Sequence, residues 1–313
     1  MMTGSRSGVS PEERTRTDER HVEGGVGSAL AAVCAELGLD HRDGLELRCV
    51  NNAVFRFPDH AVVVKIVLTP GLSHRAAKVA AVARWLAEHD IPAVRLIEDV
   101  EQPVRAGAHL ATVWHEVPST GPPPTGADLA RLLRLVHELP APPFELPVWE
   151  PLADVRARLA DAVDLDPDDR AFLERRCDEV QAALATVRYE LPIGPIHGDA
   201  HLGNLIPGPD GPVLCDFDST CIGPREWDLM TMAVSHLRFA RPWQNYRDFV
   251  DGYGFDVTAW KGFSTLREPR ELKITTGPLV ALRNSERMRE EFEYRLRTLR
   301  AGELDAVWRP YGS

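Results

Sequence analysis

The polar residues that invite a chemical interpretation are concentrated in HGDAHLGN, residues 197–204. Asp199 and Asn204 lie five residues apart there, as D-x-x-x-x-N, and Asp216 follows in the segment VLCDFDS. This spacing suits phosphoryl transfer, because the aspartate orients and deprotonates a hydroxyl while the asparagine binds Mg²⁺. Carboxylate and amide oxygens are the ligands that this hard cation prefers. The pattern therefore predicts a catalytic Asp199, with Asn204 and Asp216 as metal ligands.

The same stretch has a second chemical interpretation. His197, Asp199 and His201 form H-x-D-x-H, which looks like a fragment of a metal-dependent hydrolase site. A zinc site normally needs three or four protein ligands. No other segment supplies further histidines convincingly, so the hydrolase is the weaker alternative.

Three segments, HGDAHLGN, CDFD and GPREWDL, follow one another in an order that resembles the aminoglycoside phosphotransferase and choline kinase family of small-molecule kinases. The resemblance implies an α+β, bilobal, protein-kinase-like fold, with a small N-terminal antiparallel-sheet lobe and a larger, mainly helical C-terminal lobe. It implies ATP or another nucleoside triphosphate and Mg²⁺ as cofactors. The acceptor would be a hydroxyl of an aminoglycoside, another antibiotic, an amino sugar or a related alcohol. A nucleotide-binding pseudokinase that acts as a regulatory module is the alternative.

The resemblance also implies roles for residues outside the catalytic loop. Lys65, in the strand-like VVVKIV, would contact the α- and β-phosphates, and Asn51 and Asn52 would form the loop over them. The segment WHEV would be the hinge whose backbone bonds adenine; its residues are Trp114, His115, Glu116 and Val117. Three residues would support the site: His197 by holding the loop, Asp218 by assisting the metal or fixing the loop, and Asp228 by capping a helix and anchoring the loop backbone.

One departure from the family pattern concerns the partner of Lys65. Relatives place a helix glutamate six residues before a tryptophan, and that glutamate pairs with the strand lysine. Here Val79 stands six residues before Trp85. Either another acid or the nucleotide itself positions Lys65, or the lobe has lost proper ATP handling.

The acceptor-binding residues are the least defined part of the site. His201 lies near the acceptor or the phosphates, or else faces solvent. Acidic residues that would line a cleft for an amine-bearing acceptor are Glu226, Glu286, Glu290 and Glu291. Arginines at 287, 289 and 295 equally favour a solvated, salt-bridged helix surface. A net charge of −11 is compatible with a cationic small-molecule acceptor and argues against a nucleic-acid partner.

Composition and periodicity predict the elements that position these residues. Residues 1–26 form a polar tail, 27–118 a nucleotide-binding lobe with its hinge at about 112–118, and 119–313 a catalytic and acceptor-binding lobe that starts at the STGPPPTG junction. The first lobe is predicted to contain a helix at ALAAVCAELGL, a helix over about 73–89, and strands at LELRCV, AVFRF, HAVVVKIVL, AVRLIEDV and HLATVWHEV. Helices of the second lobe are predicted over 127–139, 169–188, 225–240 and 277–300.

Apolar runs such as AVVVKIVL are far shorter than the roughly 18 residues that a membrane span requires. The N-terminal residues lack the apolar core of a secretory signal, and five scattered cysteines fit reduced thiols. These features favour a cytoplasmic protein with no membrane partner. They leave the oligomeric state open.

Overall fold

The computed structural model describes residues 25–49, 52–68 and 74–311. The predicted tail lies almost entirely outside this part of the chain, and the first helix of the described residues begins at Val26. The chain divides into two compact units, the first ending at Pro118 and the second beginning at Ser119. This division falls at the start of the STGPPPTG segment, whose Thr125 caps the next helix.

The first unit is built on a five-stranded antiparallel sheet with the order β1-β2-β3-β5-β4. Its strands are β1 (Leu45–Cys49), β2 (Asn52–Phe57), β3 (Val62–Val67), β4 (Val104–Ala106) and β5 (His109–His115). Lys65, in β3, pairs with Val54 of β2 and Thr112 of β5, and its side chain is half-buried. β3 therefore lies inside the sheet, as its run of β-branched residues suggests.

Two helices accompany this sheet, α1 (Val26–Leu37) and α2 (His74–Glu88). The buried face of α1, which includes Leu30 and Val33, belongs to the same apolar cluster as the inward residues of the strands. α2 buries the face that its sequence periodicity predicts, and Val79 is part of that face at 3% exposure. The position that would carry a helix glutamate is thus in the apolar core.

The prediction of a strand at AVRLIEDV is wrong. Residues 93–100 contribute an isolated bridge between Leu96 and Trp114, and the edge strand lies further along, at β4. The physical reason is the side chain of Gln102. Its amide accepts a hydrogen bond from Val113 N (2.7 Å) and donates one to Val113 O (2.8 Å). A buried side-chain amide here satisfies backbone groups that a regular strand partner would otherwise satisfy.

The second unit is mainly helical, and the predicted fold class is confirmed. Its helices are α3 (Gly126–Glu138), α4 (Ala153–Asp161), α5 (Pro167–Leu184), α6 (Glu226–Phe239), α7 (Trp243–Tyr253), α8 (Phe263–Thr276) and α9 (Glu286–Arg300). Two antiparallel strand pairs lie among them: β6 (Ile193–Ile196) with β9 (Cys221–Pro224), and β7 (Leu205–Gly208) with β8 (Gly211–Leu214). Among the described residues, no helix combines the length and apolar character needed to cross a bilayer.

The C-terminal helices differ from the prediction of one helix over 277–300. A 3₁₀ segment over Leu279–Asn284 precedes α9, whose N-terminus is capped by the Ser285 hydroxyl. α8, which the sequence did not predict, contains Pro269 in its interior. Proline normally ends a helix. Pro269 therefore argued against a helix here, although the residues on both sides of it are helical.

Candidate active site

The HGDAHLGN loop begins directly after β6, and Gly198 shapes its first turn. Gly198 has a φ of +82°, and an added Cβ would lie 2.1 Å from the backbone oxygen of Ser219. Both the left-handed backbone and the close approach require glycine at this position. The chain can therefore bring residues 197–199 tightly against the turn that follows Asp216.

Asp228, on α6, holds the start of this loop through its carboxylate. Its Oδ2 accepts a hydrogen bond from the backbone N–H of His197 (2.7 Å), and its Oδ1 accepts one from Gly198 N–H (2.7 Å). His137 Nε2, on α3, lies 3.0 Å from the same Oδ2. Asp228 is the third residue of α6, after Arg225 at the N-cap, and its side chain is directed to the loop instead of capping its own helix.

The environment of Asp228 favours its ionised form. Burial raises the pKa of this carboxyl, but the hydrogen bond and charge of His137, together with His197, outweigh burial and lower it overall. Trp227, the neighbour of Asp228, adds a further hydrogen bond from its Nε1 to Gly198 O (2.9 Å). Trp227 and Asp228 of GPREWDL thus fix the backbone of His197 and Gly198, the first two residues of the loop.

His197 is 2% exposed, and both of its ring nitrogens have protein contacts. Nε2 lies 3.0 Å from Cys215 O, and the backbone N–H of Asp199 lies 3.4 Å from Nδ1. The arrangement assigns the proton to Nε2 and joins the loop to the residue before Asp216. These contacts are those of a supporting residue, and they leave the ring poorly placed for a zinc ion. The part of the chain that the structure describes contains no group of three His, Cys, Asp or Glu side chains arranged to hold a metal.

Asn204 and Asp216 are brought together by the β7–β8 hairpin. Asn204 immediately precedes β7, Cys215 follows β8, and Cys215 N–H donates to Asn204 O (3.0 Å). The Asn204 side chain is buried, and its Nδ2 donates to Asp199 O (2.9 Å). Asp216 is half-buried with a φ of +65°, and Asp218 follows it in a 3₁₀ turn. The hairpin therefore brings the backbone of Asn204 to Cys215, the residue before Asp216.

Asp199 forms an ion pair that the sequence did not reveal. Its Oδ1 lies 2.7 Å from Nη1 of Arg270, on α8. The Arg270 side chain is 5% exposed and Asp199 is 31% exposed, so the carboxylate is the member of the pair that faces outward. The guanidinium carbon lies 5.9 Å from the ring centre of Trp227. Arg270 is thus held between the catalytic loop and the residue that anchors it.

Further basic groups surround this ion pair. Burial alone would raise the pKa of Asp199, but the charges of Arg270, Lys273 and His201 together lower it well below its usual range. The pKa values of Lys273 and His201 are themselves lowered, in each case mainly by burial and partly by the nearby Arg270, while Asp199 opposes the shift. Asp199 is therefore an ionised carboxylate in a locally cationic environment.

Sequence analysis missed Arg270 and Lys273 because the helix that carries them was not predicted. A usable signal was present: residues 267, 270 and 273 are basic at three-residue spacing, which places them along one helix face. Arg267 is neutralised by Glu271, at 2.6 Å, within the same helix. Arg270 and Lys273 instead pair with carboxylates outside α8, those of Asp199 and Asp154.

The expectation that Glu226 lines an acceptor cleft requires correction. Glu226 is fully buried, and its Oε1 accepts the backbone N–H groups of Glu190 (2.7 Å) and Leu191 (2.8 Å). Such a carboxylate supports the chain and does not face an acceptor. Glu286 and Glu290 are exposed on α9. The side chains identified beside Asp199 are basic instead.

The residues expected to contact the nucleotide belong to the first unit. Asn52 begins β2, whereas Asn51 lies outside the described residues. In the WHEV segment, His115 N–H donates to Arg95 O (2.9 Å) and Glu116 N–H donates to Ala61 O (2.7 Å). Arg56 holds the Glu116 carboxylate through a 2.8 Å hydrogen bond from its Nε. These two amides therefore already donate within the lobe.

The profile described as "Phosphotransferase enzyme family" matches residues 50–264, which is more than half of the 313-residue chain. The chain belongs to this family. The match includes the catalytic loop, the hairpin with Asp216, and GPREWDL, so the predicted relationship is confirmed and the chain is a small-molecule phosphotransferase of the kinase type.

Solved structures show the same fold at low sequence identity. Amicoumacin kinase hAmiN, in complex with AMP-PNP, Ca²⁺ and Ami, has a TM-score of 0.67 at 17% identity, covering 95% of this chain and 98% of the other. Choline kinase LicA from Streptococcus pneumoniae has a TM-score of 0.59 at 12% identity, covering 86% and 98%. Spectinomycin phosphotransferase APH(9)-Ia, in complex with ADP and spectinomycin, has a TM-score of 0.55 at 16% identity, covering 81% and 88%. None of the curated proteins compared with the chain matches it significantly.

Proposed function

We propose that this phosphotransferase transfers the γ-phosphate of ATP, with Mg²⁺, to a hydroxyl of a small molecule. The observation that carries the proposal is the loop geometry. An ionised Asp199 projects from a backbone fixed by Asp228, directly beside the hairpin that joins Asn204 to Cys215, the residue before Asp216. Positioning of this kind is the main contribution that a protein makes to phosphoryl transfer.

Asp199 is suited to orient the acceptor hydroxyl and to accept its proton. Its ion pair with Arg270 keeps the carboxylate ionised and limits its strength as a base. A strong base is not required, because the transition state of phosphoryl transfer is loose and the hydroxyl loses its proton late. The partial exposure of Asp199 leaves its carboxylate accessible to an alcohol.

The residues at the hairpin fit a magnesium ion. The Nδ2 of Asn204 donates to Asp199 O, so its Oδ1 is the atom left to act as a ligand. Asp216 supplies a carboxylate from the adjacent strand end. Mg²⁺ typically takes one or two protein oxygens and completes its coordination with water and substrate phosphates. When bound, the ion would neutralise phosphate charge.

Nucleotide as the second substrate is supported by the solved relatives, two of which contain AMP-PNP or ADP. Lys65, half-buried in β3, is the proposed contact for the α- and β-phosphates. Position 79 is a valine in the apolar core, so no glutamate at this position of α2 holds Lys65.

Replacement of Asp216 by asparagine tests this function. We expect Asp216→Asn to weaken Mg²⁺-dependent binding of AMP-PNP and to lower ATP turnover together, because the charged ligand of the ion is removed. Calorimetric titration of AMP-PNP with and without Mg²⁺ measures the metal-dependent component. The matched control is Asp210→Asn, an exposed carboxylate in the turn of the same hairpin, which should leave both quantities unchanged.

Equal nucleotide binding and turnover in the presence of a chelator would refute the metal-dependent kinase. Metal-dependent AMP-PNP binding without transfer to any acceptor in a broad panel of alcohols would instead favour the pseudokinase module. These two results separate the competing functions, since only the kinase couples the metal to product formation.

A further inference from the structure

We infer that Arg270 and Lys273 bind an anionic group of the acceptor, such as a carboxylate, so that the enzyme phosphorylates acidic alcohols in preference to amines. This inference rests on the proposed kinase function and adds the chemical class of its acceptor. The acidic composition of the chain was compatible with a cationic acceptor, whereas this inference assigns an anionic one.

The position of the two cations favours an anionic acceptor. Arg270 and Lys273 are three residues apart on α8, a spacing that places side chains on the same helix face. Arg270 contacts Asp199 directly, and the charge of Lys273 also acts on Asp199. An acceptor whose hydroxyl approaches Asp199 therefore meets two positive charges close to its reacting oxygen.

The hydrogen bonding of the Arg270 guanidinium also favours an anionic acceptor. Within the described residues, no acceptor meets Arg270 Nη1 in hydrogen-bond geometry, although the 2.7 Å ion pair with Asp199 supplies charge compensation. Buried N–H groups usually have hydrogen-bond partners, and an arginine carries five of them in a fixed fork. An acceptor anion would reach this buried donor by sharing the guanidinium with Asp199.

The charges around Arg270 and Lys273 favour an anion over an amine. Asp199 compensates Arg270 and also acts on Lys273, whose ammonium group lies 4.0 Å from the partly exposed Asp154. Lys273 itself is only 15% exposed. An ammonium group on the acceptor would be repelled by both cations, and an anionic group would be attracted by both. Partial burial makes these effects larger than they would be at an open surface.

The same cations could attract a different anion, the phosphoryl group being transferred. Three matched three-carbon probes, used on protein with and without saturating Mg·AMP-PNP, distinguish the two sources. The probes are malonate, 1,3-propanediol and 1,3-diaminopropane. Their binding is followed by the ¹⁵N–¹H resonance of the Trp227 indole, which contacts the loop through Gly198 and lies beside Arg270.

Malonate is expected to bind most tightly of the three, both with and without the nucleotide analogue. Arg270→Gln should weaken malonate binding about tenfold or more, the effect of losing a hydrogen bond to a charged group. Lys273→Gln should weaken it less and provides the second variant if Arg270→Gln does not fold. Arg297→Gln and Lys261→Gln, which remove exposed charges, should leave the affinity unchanged.

Tighter binding of the diamine, or equal malonate binding in wild type and in both site variants, would overturn the inference. Loss of malonate binding when Mg·AMP-PNP is present would assign the cations to the transferred phosphoryl group and overturn it as well. Neither result affects the metal dependence tested through Asp216, so failure of the acceptor class remains distinct from failure of the kinase function.

Discussion

Replacement of Asp199 by alanine is expected to lower the rate of phosphoryl transfer by ~10²–10⁴-fold, the usual effect of removing a general base. The affinity for Mg·AMP-PNP should remain close to that of the wild type, because the proposed role of Asp199 concerns the acceptor hydroxyl and the proposed metal ligands Asn204 and Asp216 are intact. Steady-state turnover of an accepted alcohol, together with calorimetric titration of the nucleotide analogue, measures the two quantities separately. Turnover like that of the wild type would remove Asp199 from the mechanism.

The ion pair complicates this experiment and also supplies its control. In Asp199→Ala the largely buried Arg270 loses its partner at 2.7 Å, and an unpaired buried charge destabilises the fold. The double variant Asp199→Ala/Arg270→Gln removes both members of the pair. It should recover much of the lost melting temperature without recovering turnover. Recovery of both would show that the single variant had lost activity through unfolding alone.

The ion pair also determines how activity depends on pH. Asp199 is surrounded by Arg270, Lys273 and His201, and the net effect lowers its pKa despite burial. The acid limb of kcat/KM for the acceptor reports Asp199 before the acceptor binds, and it should therefore lie below about pH 4, the ordinary value of an aspartate. Arg270→Gln should move this limb to higher pH. An unchanged limb in the variant would mean that another group controls it.

The catalytic loop could be predicted from sequence because its chemistry is local. Asp199 and Asn204 are separated by four residues, and Asp216 is brought back to them by one short hairpin. A fixed spacing is sufficient to describe such a site. The antiparallel sheet of the first unit was predictable for a similar reason, since consecutive strands joined by short turns form most of its pairings.

The surroundings of Asp199 depend on contacts that sequence spacing does not contain. Arg270 follows Asp199 by 71 residues and reaches it only because α8 packs against α6. Pro269 concealed that helix, and no local pattern pairs its arginine with a carboxylate so distant in sequence. His137, another long-range contact of the site, lies on α3 and reaches Asp228 on α6.

Surface and interior carboxylates were also indistinguishable in the sequence. Glu226 and Glu290 both occur in helices with neighbouring basic residues, yet Glu226 is buried beneath two backbone amides and Glu290 is exposed. Burial decides their roles, and burial depends on which helices pack together. The charge of the acceptor site could therefore not be inferred from the acidic composition of the chain.

Replacement of Asp228 by alanine is expected to produce the largest loss of stability, about 3–5 kcal/mol, because a buried charged group with several partners is removed. The carboxylate is fully buried and accepts hydrogen bonds from His197 N–H and Gly198 N–H. His137 would also lose its partner while keeping the contact of its Nδ1 with the Tyr253 hydroxyl, at 2.8 Å. Chemical denaturation followed by circular dichroism measures the change in the free energy of unfolding.

Two further variants show whether the loss of stability is specific to the Asp228 carboxylate. Asp251→Ala removes an exposed carboxylate from the neighbouring α7 and should change stability by less than about 0.5 kcal/mol. Asp228→Asn keeps one acceptor oxygen and should fall between this control and Asp228→Ala. An Asp228→Ala protein as stable as the Asp251→Ala control would contradict the anchoring role.

The pH dependence of the same variants tests whether the charge of Asp228 is what stabilises the loop. Burial raises its pKa, but His137 and His197 lower it more, so the folded pKa lies below the value in the unfolded chain. The stabilisation is then complete above about pH 4 and is lost as the pH falls through the lower folded pKa. The difference in unfolding free energy between wild type and Asp228→Asn should therefore shrink in acid. A difference that stays constant from neutral pH to about pH 3 would show that hydrogen-bond geometry, and not the ionised carboxylate, holds the start of the catalytic loop.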